Sequence, residues 1–353
     1  MSTPVQQYVP KERQVLTPPA KRRRFSRSAR VRFTNRMFTY YFWFSILALC
    51  LVLGLVIFFI GKTALLTFRD ISFADFFLSF NWTPEEEHYG AAAFIINTLS
   101  LTALTLALAV PVSVGLAVLI AEIAPGWLKN AMRPILDLLV GVPSIVYGYL
   151  GLTVLIPFLR RLSGENLGDG LLAAALVLAL MVLPTICRIS DDAISAVPKK
   201  YREAAYATGS TRLQVMMRVV IPAAGRGIIA AVIMGMTRAI GETMAVVMVI
   251  GNTAQLAKSL FTPASVLTSN IVMQISNVEF DSTWNYALHM MAFLLLIISF
   301  VLILDHGSQR RCTRQRVPQV LDGQIQRRVG LQLRTVGFLA GKTPPVDQLW
   351  RPA

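Results

Sequence analysis

Glu203-Ala204-Ala205-Tyr206-Ala207-Thr208-Gly209, followed by Val219-Val220-Ile221-Pro222, is a polar, alanine-rich stretch set between two apolar runs of membrane length. Val197-Pro198 signals a helix start, Lys199 to Thr208 supplies strong helix formers, and Gly209 can end that helix in a left-handed cap. Ser210 or Thr211 can cap the next helix. The spacing predicts two short helices meeting at a glycine turn, with Pro222 beginning the following span. Ala204, Ala205 and Ala207 keep the first helix slim enough for a groove, and Arg202 with Glu203 gives its exposed side a polar handle. Such a hairpin is either a docking element or an amphipathic loop packed on its own helices.

The surrounding chain explains why a docking element matters. Of 353 residues, 54% are hydrophobic and 15% charged, too apolar for a soluble domain. The apolar residues fall into separate runs near the length of about 20 that a helix needs to cross roughly 30 Å of hydrocarbon. Six spans are predicted: Tyr40 to Ile60, Ala91 to Ile120, Leu136 to Leu159, Leu171 to Ile186, Ile228 to Ile250, and Tyr286 to Leu304. Pro111 marks a kink or short break in the second. The first lies too deep in the chain, and is too long, for a cleaved signal. The expected fold is all-α, a polytopic membrane helical bundle.

Charge sets the expected orientation. Residues 1–36 carry ten Lys or Arg against one acid, and residues 305–353 carry nine against three, which places both ends in the cytoplasm. The segment 61–90 has two basic and five acidic residues, whereas 188–226 has seven and three, so the first is outside and the second inside. Arg160-Arg161, in a predicted outside turn, runs against this trend. Residues 1–38 read as a basic, disordered cytoplasmic arm, 39–305 as the transmembrane domain and 306–353 as a basic cytoplasmic tail.

A net charge of +15 and the run Lys21-Arg22-Arg23-Arg24 invite a nucleic-acid reading. A juxtamembrane cluster of this kind is better accounted for by anionic membrane lipid, at about 1 kcal/mol per charge, so no nucleic acid is expected. Cys50, Cys187 and Cys312 are scattered, as are His88, His289 and His306, and no metal or cofactor site is predicted. Gly337-Phe338-Leu339-Ala340-Gly341-Lys342-Thr343 mimics a phosphate-binding loop but has three residues between its glycines where the loop requires four. If a nucleotide powers this chain, another polypeptide binds it.

The EAA spacing resembles the cytoplasmic loop of binding-protein-dependent ABC importer permeases: Glu203-Ala204-Ala205, Gly209, then Val219, Ile221 and Pro222. Within that superfamily the chain is similar to the PstC-type subunit of phosphate importers. The strings behind this likeness are Glu122-Ile123-Ala124-Pro125-Gly126-Trp127-Leu128, Val142-Pro143-Ser144-Ile145-Val146-Tyr147-Gly148, and Arg238-Ala239-Ile240-Gly241-Glu242-Thr243-Met244-Ala245-Val246 with Ile250-Gly251-Asn252. The sister PstA-type subunit shares the loop and a similar Arg and Glu, but the continuation Thr243-Met244-Ala245-Val246 favours PstC. The likeness covers roughly 40–305; the basic arm, the tail and the short turn from Arg160 to Asp169 depart from it.

The resemblance implies a type I ABC importer permease fold and a multi-pass protein of the bacterial inner membrane that translocates phosphate without bond chemistry. The expected partners are a PstA-like permease, two PstB-like ATPases and a periplasmic phosphate-binding protein. Glu203 to Gly209 would form the coupling helix seated in a groove of one ATPase. The same features leave open a permease for another oxyanion, such as molybdate or sulfate, and a membrane-embedded regulatory scaffold using its basic arms.

On a helical wheel through the fifth span, Ala231, Met234, Gly235, Arg238, Gly241, Glu242, Ala245 and Val249 share one face, expected to pack into the bundle. Ile229, Ile233, Met236, Ile240 and Val247 share the other, expected to meet lipid. Arg238 is then either part of an anion path or half of a structural pair with Glu242. In the third span Pro143 should break the helix, leaving Ser144 and Tyr147 to line a passage or simply to pack at a kink. Phe68, Ile71, Phe73, Phe76, Phe77 and Phe80 form an aromatic stretch expected to lie flat in the outer interface; together with Glu85-Glu86-Glu87 it is also a candidate docking surface for the binding protein.

Overall fold

The computed structural model describes residues 27–163 and 168–304. The tail run Gly337 to Thr343, the basic residues before Arg27, and His306 and Cys312 lie outside the described residues. Two compact units divide the chain, Met1–Phe58 and Phe59–Ala353.

Helix α1 (Arg27–Leu66) carries no acidic residue in its first turn, and from Arg36 to Phe58 every side chain is exposed. An apolar surface of that length suits a hydrocarbon environment. In the second unit a short helix α2 (Phe73–Leu78) leads to an antiparallel hairpin of Trp82–Thr83 and His88–Tyr89. Then follow α3 (Ala92–Ile123), α4 (Gly126–Gly141), α5 (Ser144–Leu162), α6 (Leu171–Ser195), α7 (Lys199–Ala207), α8 (Arg212–Ile240), α9 (Met244–Val249), α10 (Leu267–Gln274) and α11 (Thr283–Leu304). Among the described residues six helices are long and apolar enough to cross a membrane: α1, α3, α5, α6, α8 and α11.

Several expected boundaries move, each for a local reason. Helix α3 runs through Pro111 without a break. Its irregularity falls instead at a π turn over Leu119–Ile123. The third span does break at Pro143, which caps α5; Leu136 to Gly141 therefore belong to the separate amphipathic α4, whose Lys129, Arg133 and Asp137 recur every fourth residue. The fourth span continues to Ser195, since Arg188, Asp191 and Asp192 are paired rather than bare. The fifth begins at Arg212 and stops at Ile240, where Gly241 interrupts it.

Helix α6 lies at the centre, against α3 and α8. Small residues permit this. A Cβ on Gly235 would stand 2.6 Å from Ile186, so α8 approaches α6 closely only because that position lacks a side chain. The packed stripe of α8 is Ala224, Ala231, Gly235 and Ala239. It is rotated from the expected face: Met234 is exposed and Ile240 buried. Gly148 and Gly151 do the same for α5, against Ala245 of α9 and Val177 of α6.

Two satellite cores sit at opposite ends of α3. At its start Phe76, Trp82, Tyr89 and Phe94 pack with Leu267, Leu288 and Met291. Trp82 meets Phe94 and Tyr89 edge-on at 5.4 and 5.8 Å. The aromatic stretch packs one side on this core, for Phe76 is fully buried while Phe73 and Phe80 stay exposed. Buried Asn97 ties the segment after α9 to α3: its Nδ2 donates to the Gln255 and Ser265 carbonyls, both at 2.9 Å, and its Oδ1 accepts from Ala257 N at 3.1 Å. At the far end of α3, Ile120, Leu136, Ile194, Val197, Val215 and Val220 form the second satellite core.

Candidate functional site

The hairpin of α7 and α8 follows from its caps. Gly209 takes φ +78°, the left-handed conformation that a side chain resists, and ends α7. Thr211 then caps α8 reciprocally: its Oγ1 accepts from Gln214 N, and Gln214 Oε1 accepts from Thr211 N at 3.0 Å. That capping box starts the helix ten residues earlier than a start at Pro222 would. Pro222 sits inside α8, just after a π turn over Met216–Val220 in which Ile221 N bonds to Met216 O. The register changes there, and the missing proline N–H is accommodated.

Glu203 and Ala204 are exposed on α7, while Ala205 packs into the core below. Arg202, read from sequence as an outward handle, points inward. Its Nε and Nη2 donate to Glu122 Oε1 at 3.1 and 2.6 Å, and its Nη1 and Nη2 to the Val197 and Ile194 carbonyls at 2.6 and 3.1 Å. The carbonyls at and just past the end of α6, with the negative end of its dipole, favour a guanidinium there. Arg212 also donates to the Glu122 carbonyl. Beside this joint lies a cleft of about 450 Å³ lined by Glu122, Lys129, Lys199, Arg202, Glu203 and Tyr206.

A second charge cluster links α4 to α6. Arg133 makes a two-pronged contact with fully buried Asp191, Nε to Oδ2 at 2.8 Å and Nη2 to Oδ1 at 3.1 Å. That hydrogen bond holds the Arg133 pKa above its ordinary value. Arg188 reaches Asp137 and Asp192, both at 3.0 Å.

Arg238 and Glu242 do not pair with each other among the described residues. Helix α8 ends between them, so the i, i+4 geometry is lost. Arg238, in the last turn, donates to Thr185 Oγ1 at 2.8 Å, and Glu242 Oε1 accepts Ala245 N at the start of α9. Each charge compensates the helix end it occupies. Tyr147 Oη donates across the Pro143 break to Leu139 O at 3.0 Å. Ser144 is half-buried in the first turn of α5. Arg238 and Tyr147 each lie next to a helix break, at Gly241 and at Pro143.

Two broken spans, a centrally packed α6 and a capped hairpin lie within residues 109–311, whose sequence matches a family described as "Binding-protein-dependent transport system inner membrane component". The chain belongs to this family. Among its relatives is the probable ABC transporter permease protein YqgH of Bacillus subtilis, 41% identical over 259 residues, 72% of this chain and 84% of the relative. The phosphate transport system permease protein PstC of Xylella fastidiosa is 36% identical over 247 residues, 65% of this chain and 76% of that protein. PstC proteins of Pasteurella multocida and Mesorhizobium japonicum are each 35% identical. The resemblance to PstC-type permeases is borne out.

A solved bacterial alginate ABC transporter, in complex with its alginate-bound periplasmic protein, shares the fold with a TM-score of 0.55 over 80% of this chain and 98% of that one, at 15% identity. The permease is therefore a multi-pass membrane protein of the type I ABC importer architecture, a transport subunit and not itself an enzyme. Of its functional candidates, sequence reasoning missed the inward Arg202, the Arg133–Asp191 pair and Thr185. A carboxylate at Glu122 and an arginine at Arg202 are 80 residues apart, and no local pattern joins them.

Proposed function

We propose that this permease is the PstC-like subunit of an ATP-driven importer that carries inorganic phosphate across the bacterial inner membrane by alternating access. Its partners are a PstA-like permease, two PstB-like ATPases and a periplasmic phosphate-binding protein. Both termini are cytoplasmic, with 1–38 and 306–353 as basic segments that favour anionic lipid. Helix α7, with Glu203, Ala204, Ala205 and Gly209, seats in an ATPase, and Pro222 lies on the helix that carries the movement onward.

The observation that carries the phosphate reading is Arg238, held by a single hydroxyl in the middle of the fold and not neutralised by Glu242. A phosphate dianion in low dielectric is prohibitive without positive charge on its route, and a guanidinium fork matches two phosphate oxygens at once. Tyr147 and Ser144 serve as neutral groups on the same route, and Glu242 favours release. The PstC relatives support the same cargo. Uptake of radiolabelled phosphate by a strain lacking its high-affinity importer, supplied with this chain and its partners, tests the reading. ATP-dependent uptake lost in Arg238→Gln is expected, and an assembled complex that carries a different oxyanion instead would overturn it.

A further inference from the structure

The outer side of α7 is free while its inner side is fastened, and one residue takes most of the fastenings. Glu122 lies in the π turn that ends α3, a turn closed by Ala124 N bonding to Leu119 O at 2.8 Å. Its carboxylate accepts two N–H groups of Arg202 from α7, and its carbonyl accepts Arg212 from the first residue of α8. Both arms of the hairpin therefore end on Glu122. Arg202 spends its remaining contacts on the end of α6. The two side chains are each 18% exposed, so water screens the pair poorly.

We propose that Glu122 is a positioning residue for transport, the joint through which displacement of α7 moves α3. Apolar contacts already hold the hairpin in place: Tyr201, Ala205 and Val215 pack against the cluster that contains Ile120 and Ile194. A shielded ion pair adds little net stability to such contacts. What it adds is direction. Greasy surfaces slide, whereas two guanidinium N–H groups converging on one carboxylate oxygen, with a second bond to the carbonyl of the same residue, fix Glu122 to both arms of the hairpin. A push on the exposed Glu203 to Gly209 side is thus delivered to the end of α3 and, through the Arg202 carbonyl contacts, to the end of α6. The proposal rests on the reading of α7 as the ATPase seat and is independent of which anion is carried.

The test uses the complete importer in vesicles, with wild type, Glu122→Ala and Glu122→Gln compared for phosphate uptake and ATP hydrolysis. In E122A, uptake per ATP is expected to fall about tenfold, the size of an ordinary coupling energy, while hydrolysis stays within about twofold; E122Q, which keeps an acceptor oxygen, falls less. Unchanged uptake per ATP in assembled E122A overturns the proposal. Hydrogen exchange on the same complexes needs no cargo and covers the case in which E122A fails to assemble. In E122Q the ATP-dependent change in α7 peptides persists and that in α3 peptides shrinks; an α3 change equal to wild type overturns the joint. Wild type that exchanges as expected but takes up no phosphate sinks the substrate reading alone. Wild type with no α7 response to ATP sinks the seat and the joint with it.

Discussion

Arg202 Nη2 stands 2.6 Å from Glu122 Oε1, joining two residues 80 positions apart. The contact turns the most polar residue of the EAA hairpin inward and leaves Glu203 and Ala204 to face outward. It divides α7 into a side fixed to the permease and a side open to a partner. The same division of labour recurs at Arg238 and Glu242, which serve separate helix ends.

Gly209 is held at φ +78° with nothing within 4 Å of where a Cβ would stand. The cost of a side chain there is backbone strain alone. Gly209→Ala should destabilise the hairpin by about 1 kcal/mol, and Gly209→Asn by less, because asparagine tolerates the left-handed region. Thermal unfolding of the purified complex measures this, with uptake falling in the same order.

Thr185 makes the hydrogen bond that orients Arg238. Thr185→Val keeps the charge and loses the bond, worth about 1.5–3 kcal/mol to a charged donor, so the transport KM should rise about tenfold or more at unchanged assembly. Thr185→Ser should restore it. A structural role alone would instead lower the amount of complex and leave KM where it was.

Asp191 is fully buried between Arg133 and Arg188. Arg133→Met strips it of its two-pronged partner and should cost about 3 kcal/mol, read as a lowered midpoint of unfolding. Asp137→Asn, on a carboxylate that is 57% exposed, should change stability by less than about 0.5 kcal/mol.

Two glycines of α8 should respond with opposite sign. Gly235→Val drives a side chain into Ile186 and should cost about 1–3 kcal/mol. Gly225, in the same helix with open space around it, should gain about 0.5–1 kcal/mol on substitution by Ala. Parallel unfolding curves of the two variants decide it.

Periodic and local signals carried much of this fold. Runs of apolar residues placed six spans, Pro143 located a true break, and Gly209 with Thr211 defined the turn by their own backbone chemistry. What escaped was either a register shift or a distant contact. The capping box at Thr211 outweighed Pro222 as the start of α8, because a satisfied pair of N-terminal amides favours a helix more than a proline marks one. Pairing let α6 continue past Arg188, where hydropathy alone ends the span. Arg238 and Glu242 share a wheel face only while the helix lasts, and Gly241 ends it. Asn97 looks in sequence like any polar residue in a span, and its meaning comes from loop carbonyls some 160 residues away.

The most direct measurement is ATP-driven uptake in proteoliposomes containing this chain, its partner permease, the ATPases and the binding protein, with labelled phosphate, sulfate and molybdate offered in turn. Saturable phosphate uptake that requires ATP, exceeds that of the other two anions and disappears in Arg238→Gln while the complex stays assembled is the expected result. Uptake of another oxyanion in preference to phosphate, or phosphate uptake untouched by Arg238→Gln, would contradict it.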